Sequence, residues 1–240
     1  MKKAQSVTEL SFQERKLHKI LEVEGEPVLE LTLHWLSGGE GCSQKLKKLL
    51  ELPAAVWQAR WTGLLYQRAC AVRADCRARS RPFLPWSCGL DTTVTHNRDG
   101  LCSISWEAWE RAGEQRRSLV RHSLVWDWRI QAPLPLSSFF AGQRRWRRLV
   151  LQETLRQAEQ RLDSGESLLD QDPAGLRKQF SPQRFRLHQD RVEIWYPLCS
   201  VASYGEGIPS FAVGPAPSPL PSDQDTSEPD LSFDKNQTYL

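Results

Sequence analysis

The sequence predicts an α+β fold, an antiparallel sheet with two main amphipathic helices packed on it. Two observations suggest it. Several runs alternate apolar and polar residues with the period of a strand, and two longer segments place apolar residues three, four and seven apart. The elements follow one another as strand–strand–helix–three strands–helix–strands, an order that fits helices laid on a hairpin-built sheet. A chain of 240 residues with 40% hydrophobic content is long enough to bury a core of this kind.

The first two strands lie in "KLHKILEVEGEPVLELTLHWL", where two apolar runs flank Glu24-Gly25-Glu26-Pro27 and read as a hairpin. In the second run Leu29, Leu31, Leu33 and Trp35 alternate with Val28, Glu30, Thr32 and His34, so one face is oily. "SGGEG" then breaks the chain. Cys42–Leu52 and Pro53–Arg79 read either as one helix interrupted at Pro53 or as two in succession. Trp57, Trp61, Leu64, Leu65 and Val72 form the expected inward stripe. "LDTTVTH" and "LCSISWEAW" flank Asn97-Arg98-Asp99-Gly100, whose closing Asp-Gly marks a hairpin turn. "RSLVRHSLVWDWRI" alternates again, with His122 on the face of Val120, Leu124, Trp126 and Trp128. The second helix is expected over Gln143–Leu162, with Trp146, Leu149, Val150, Leu155, Ala158 and Leu162 as its stripe. "RFRLHQDRVEIWY" reads as a hairpin around Gln189-Asp190, and it runs into a loop, Ala202-Ser203-Tyr204-Gly205-Glu206-Gly207, before a short closing strand. Residues 1–14 read as a flexible N-terminus, 15–136 and 137–214 as two halves of one domain, and 215–240 as a disordered tail without apolar period.

Charge divides along the same lines. The whole chain carries +3, but the tail holds five acids (Asp223, Asp225, Glu228, Asp230 and Asp234) against Lys235, which leaves +7 on residues 1–214. The six cysteines include no Cys-x-x-Cys pair and suit neither a disulfide framework nor a zinc site, so reduced thiols are expected. No leader-like apolar stretch follows Met1-Lys2-Lys3, and no run of about 18 apolar residues occurs. The expectation is therefore a cytoplasmic protein without cofactor or metal.

Motifs for catalysis are missing: no Gly-x-Ser-x-Gly, no His-Glu-x-x-His and no phosphate loop, while the five histidines stand singly. The chain is read as a non-enzyme, with an uncharacterised hydrolase as an alternative that would need His96 or His188 beside a carboxylate in a cleft. The sharpest basic cluster is "QRRWRRL". Arg144, Arg145, Arg147 and Arg148 are candidate anion-binding residues there, and Trp146 is a candidate base-stacking ring, which makes nucleic-acid binding a further alternative.

"FRLHQDRVEIWYPLCSVASYGEGIPSFAVG" resembles the end of a bacterial domain of unknown function found in the extracellular half of anti-sigma-V factors and beside the catalytic domain of some peptidoglycan deacetylases. Phe185, Val192, Ile194, Ala202, Tyr204, Gly207, Ile208, Pro209 and Phe211 fit that family's pattern in order. Upstream, "VTHNRDGLCSIS" is similar to its Asn/Gly turn, and "HSLVWDWRIQAPLPLSSFFAG" matches another segment through Asp127, Leu134, Leu136 and Phe140. The resemblance spans residues 15–214. Its departures include Ala112–Arg117 in place of a glycine-rich loop, Ser203 in place of proline and Cys199 in place of tyrosine. The family's membrane helix, sigma-binding segment and deacetylase domain have no counterpart. What the resemblance implies is the fold and a protein-binding, sensor-type role, with lysozyme as the family's partner and no membrane. Ser103, Ser203, Tyr204, Gly205 and Gly207 are the candidate partner-binding residues. Positive φ angles are expected at both Gly205 and Gly207.

Overall fold

The computed structural model describes residues 9–165, 167–170, 172 and 174–215. The expected acidic tail lies outside them, apart from Pro215, as do residues 1–8. Strand β1 (Phe12–Val23) and strand β2 (Glu26–Gly38) form the first hairpin. Its two-residue turn, Glu24-Gly25, has positive φ at both positions, the backbone of a tight turn whose twist matches the strands it joins. Leu10 is buried and its N–H donates to Asn97 Oδ1 at 3.1 Å. The expected flexible N-terminus is thus structured from Leu10 onward, because Asn97 ties it down.

Helix α1 (Gln44–Arg60) is capped by Ser43, whose Oγ accepts from Leu46 N–H, and passes through Pro53 without a break. Leu46, Leu50 and Ala54 hold it on β2 on both sides of the proline. The irregularity comes later, as one π-helical turn (Trp61–Leu65) leading into α2 (Tyr66–Ala78). A π turn adds a residue to the helical repeat and moves every later position by one. This corrects the expected stripe in part: Trp61 and Leu65 are buried as expected, Leu64 and Val72 are exposed, and Ala69 and Arg73 are buried instead. Arg73 is accommodated because Glu24 and Glu26 of the hairpin turn bind its guanidinium, at 3.4 and 2.7 Å.

The helical crossover returns the chain to the end of the sheet where β2 began, so β3 (Trp86–Arg98) pairs with β2 in parallel. β4 (Leu101–Arg111), β5 (Ser118–Asp127) and the two-residue β6 (Ala132–Pro133) follow antiparallel. The sheet is therefore mixed, with six strands in sequence order, and the fully antiparallel expectation is corrected by this one crossover. Gly89 has a direct purpose: the Trp109 indole, on the paired residue of β4, comes within 2.6 Å of where a Cβ would stand.

Beyond a 3₁₀ turn (Leu136–Phe140), helix α3 (Trp146–Asp163) and a short α4 (Ala174–Gln179), the chain builds a separate antiparallel sheet. It consists of β7 (Phe185–Leu187), β8 (Arg191–Trp195) and β9 (Ser210–Pro215). The two sheets give two cores. Alternate residues of β4 separate them. Cys102, Ile104 and Trp106 join Leu29, Leu31, Leu33, Leu46, Leu50, Trp61 and Trp126 beneath α1. Leu101 and Val125 join Phe185, Leu187, Ile194, Tyr196, Phe211, Val150 and Ala158 on the other side. The two long helices thus serve different sheets. Burying a leucine of this kind contributes about 1.5–3 kcal/mol. No helix among the described residues is long and apolar enough to cross a membrane.

Candidate functional site

The loop expected at the rim is a one-turn 3₁₀ helix, Tyr204–Glu206, with Glu206 N–H donating to Ser203 C=O at 3.1 Å. It is pinned from outside. Ser203 N–H donates to Leu168 C=O at 3.0 Å, and the Glu206 carboxylate accepts from Leu168 N–H at 2.8 Å. Gly207 has φ +74° and ψ −135°, a backbone that only glycine takes cheaply. Gly205 does not have positive φ, which corrects the expectation. A Cβ there would lie 2.6 Å from Leu168 Cδ1, the tip of an exposed side chain that can give way. Tyr204 is half-buried, and the Arg116 guanidinium sits 5.2 Å from its ring centroid. The loop therefore meets the β4–β5 turn.

Ser103 is not on this rim. It is fully buried, and its Oγ accepts from Leu187 N–H at 3.0 Å and from Thr95 Oγ1 at 2.9 Å. Ser123 Oγ donates to Phe185 C=O, and His96 Nδ1 lies 3.1 Å from His188 C=O. These small polar side chains project from the face of β3–β5 and satisfy the backbone of β7, which lies across them. Ser103 thus joins the sheets and is closed to a partner.

The histidine and carboxylate sought in the hydrolase alternative do meet, with His188 Nε2 3.4 Å from Glu193 Oε2. The pair sits in the same seam. Burial pushes both His96 and His188 below the usual histidine range, toward the neutral form. Burial would raise Glu193, but the Arg186 guanidinium 2.6 Å away outweighs it and holds the carboxyl low. Among the described residues no group of three or more His, Cys, Asp or Glu is placed to hold a metal.

Arg144, Arg145, Arg147 and Arg148 are all exposed around the start of α3. Trp146 is turned inward, stacked on Phe140 with centroids 6.2 Å apart and packed against the second core. The ring that would stack on a base is therefore engaged, with Arg147 covering it at 5.4 Å.

The structure also holds a feature the sequence did not disclose. A groove of about 440 Å³ runs between Leu119–Ser123 of β5 on one wall and Ser181, Gln183, Arg184, Trp195, Pro197 and Leu198 on the other. Arg121 and Arg184 each hold a guanidinium 6.0 Å from the Trp195 ring centroid. The Trp195 indole N–H donates to Ser123 Oγ at 3.3 Å and fixes the ring. Glu107 takes Arg121 Nε at 2.7 Å, while Arg121 Nη1 is buried without a partner among the described residues. Arg184 donates to Gln179 C=O at 3.1 Å and has no carboxylate partner among the described residues. Burial pulls both guanidiniums below the usual arginine range, against the pull of Glu107 on Arg121. Arg184, without a carboxylate of its own among the described residues, thus leaves an excess of positive charge beside the buried Trp195 indole.

No family model matches the sequence. No curated protein matches it either. Solved structures do. A DUF3298 family member from Bacteroides fragilis is similar over 88% of this chain and 92% of its own, with a TM-score of 0.62 and 14% identity. A DUF3298 family protein from Pseudomonas aeruginosa is similar over 85% of this chain and 90% of its own, with a TM-score of 0.60 and 18% identity. At these identities the likeness is one of fold, and the structural neighbours of this chain are DUF3298 proteins, a bacterial domain of unknown function.

Proposed function

We propose that this chain is a non-enzymatic, partner-binding domain of the sensor type, as its resemblance to the outer domain of anti-sigma-V factors implies. The observation that supports this reading is the Tyr204 ring with the Arg116 guanidinium over it, on a chain that also carries the groove at Trp195. Together they offer rings, guanidiniums and open apolar surface, the residue types enriched where protein partners are gripped. The partner is a protein, and lysozyme is the one the resemblance names.

Retention of lysozyme by the immobilised full chain tests the proposal, alongside Tyr204→Ala with its melting temperature measured in parallel. Retention by the wild type, and its loss in a variant that melts no more than about 4 °C lower, is the expected result. A wild type that retains no lysozyme at low salt rejects the anti-sigma-V-like reading. Retention unaffected by Tyr204→Ala rejects this rim as the contact.

A further inference from the structure

Sheet edges are hazards, because unpaired N–H and C=O groups attract any extended chain. In this molecule two of them are visibly guarded. β1 carries Gln13, Glu14, Arg15, Lys16 and Lys19 along its length. β9 is closed by Gln157 of α3, whose side-chain amide both donates to Ala212 C=O and accepts from Ala212 N–H.

The outer edge of β5 is different. β6 covers only its last residues, pairing with Trp126 and Asp127, while Leu134 N–H donates to Val125 C=O at 2.9 Å. In an antiparallel ladder the outward-facing groups belong to alternate residues. Since Val125 points outward, so do the N–H and C=O groups of Ser123, Arg121 and Leu119. Among the described residues nothing pairs with them, and all three line the groove. The stretch carries Leu119 and a Val120 that is 42% exposed, and its one charge, Arg121, is drawn inward to Glu107.

We propose that the groove takes an extended acidic peptide of a partner protein, added as a further strand on β5. The inference rests on the reading of the chain as a partner-binding domain and specifies the chemistry of the partner. Pairing with β5 sends alternate peptide side chains to the Arg121 face of the sheet. A carboxylate opposite Arg121 reaches the cationic pair flanking Trp195. The residues two before and two after it meet Leu119, Pro197 and Leu198 or the Ser123 end. Charge selects the acid. Around this end of the small sheet three guanidiniums, Arg121, Arg184 and Arg186, face two carboxylates, Glu107 and Glu193. The guanidinium left over is Arg184, in the groove wall. Main-chain pairing then supplies affinity, and the acid between two apolar residues supplies specificity.

The experiment uses the full chain and a fluorescein-labelled peptide, Thr-Val-Thr-Glu-Thr-Val-Thr, read by anisotropy and by amide exchange. Saturable binding below about 1 mM is expected, with slowed exchange at Leu119, Arg121 and Ser123. Replacing the peptide's glutamate by lysine, or methylating its backbone nitrogen, should each weaken binding at least about tenfold. Arg184→Gln should do the same, with the melting temperature lowered by no more than about 4 °C. Equal binding of the glutamate and lysine peptides overturns the proposal, as does indifference to N-methylation or absence of binding. Should the peptide fail while lysozyme is retained, this inference alone falls and the partner-binding reading stands. Peptide binding without lysozyme retention does the reverse to the anti-sigma-V-like reading.

Discussion

Ser103→Ala is the sharpest test of how the two sheets are joined. The Ser103 hydroxyl is fully buried and is the acceptor for Leu187 N–H at 3.0 Å, and Leu187 is itself fully buried. Removing the oxygen leaves a buried amide with no partner and no access to water. Such a group costs about 1–3 kcal/mol, more than the bond's own net worth, because its desolvation is no longer compensated. The loss at Thr95 is smaller, since its Oγ1 also donates to Ser103 C=O at 3.3 Å, which the substitution keeps. For a domain of this size 1 kcal/mol moves the melting temperature by about 2–4 °C. The expected drop is therefore about 2–12 °C, with accelerated exchange at the Leu187 amide. A variant within about 0.5 kcal/mol of wild type, with Leu187 still slow to exchange, would refute the seam. Lysozyme retention lost at unchanged stability would return Ser103 to the partner surface.

Three further outcomes are expected. Gly207→Ala forces a side chain into φ +74°, ψ −135° and should cost about 1–3 kcal/mol in chemical denaturation. Tyr204→Ala should cost only about 1 kcal/mol, the scale of an exposed cation–π contact, against about 3–5 for a buried ring. A loss at the higher figure would show that Tyr204 is a plug. The third concerns pH. His96 is pushed below the usual range by burial, helped by Arg98 and opposed by its bond to His188 C=O and by Asp99, so the unfolded chain takes up its proton first. Its contribution is complete above about pH 6.5 and declines as pH falls from there toward the folded value. His96→Gln should flatten the stability profile below about pH 6.5; a profile as steep as wild type there would reject this.

The elements legible in the sequence are those fixed by local rules. The hairpin at Glu24-Gly25 and the turn at Asp99-Gly100 announce themselves because both turn positions need positive φ. The oily face of β2 is visible because strand alternation is local, and Leu29, Leu31 and Leu33 are all fully buried. The stripe of the first helix fails at a definite place. Extrapolating a 3.6-residue period past Trp61 selects Leu64 and Val72 beside Leu65, and after one π turn the buried positions are Leu65, Ala69 and Arg73. Arg73 is buried where two glutamates nearly fifty residues earlier meet it, a tertiary contact that no local period discloses.

The candidate site was less legible because its parts are brought together only by tertiary contacts. Arg121 and Arg184 stand far apart in the chain, and neither belongs to an arginine cluster such as the one at Arg144–Arg148. They meet across Trp195 because β7 lies on the face of β3–β5, held there by Ser103, Ser123 and His96. The same placement decides what becomes of β5. Had β7 continued the large sheet, it would have hydrogen-bonded to the outer edge of β5, and Leu119, Arg121 and Ser123 would have no unpaired groups. Lying on the face instead, it meets serine hydroxyls, leaves the edge open and brings the wall of Arg184, Trp195 and Pro197 beside it. The seam that stabilises the second sheet is thus also what creates the groove, so loosening it at Ser123, which holds both Phe185 C=O and the Trp195 indole, should blunt peptide binding and stability together.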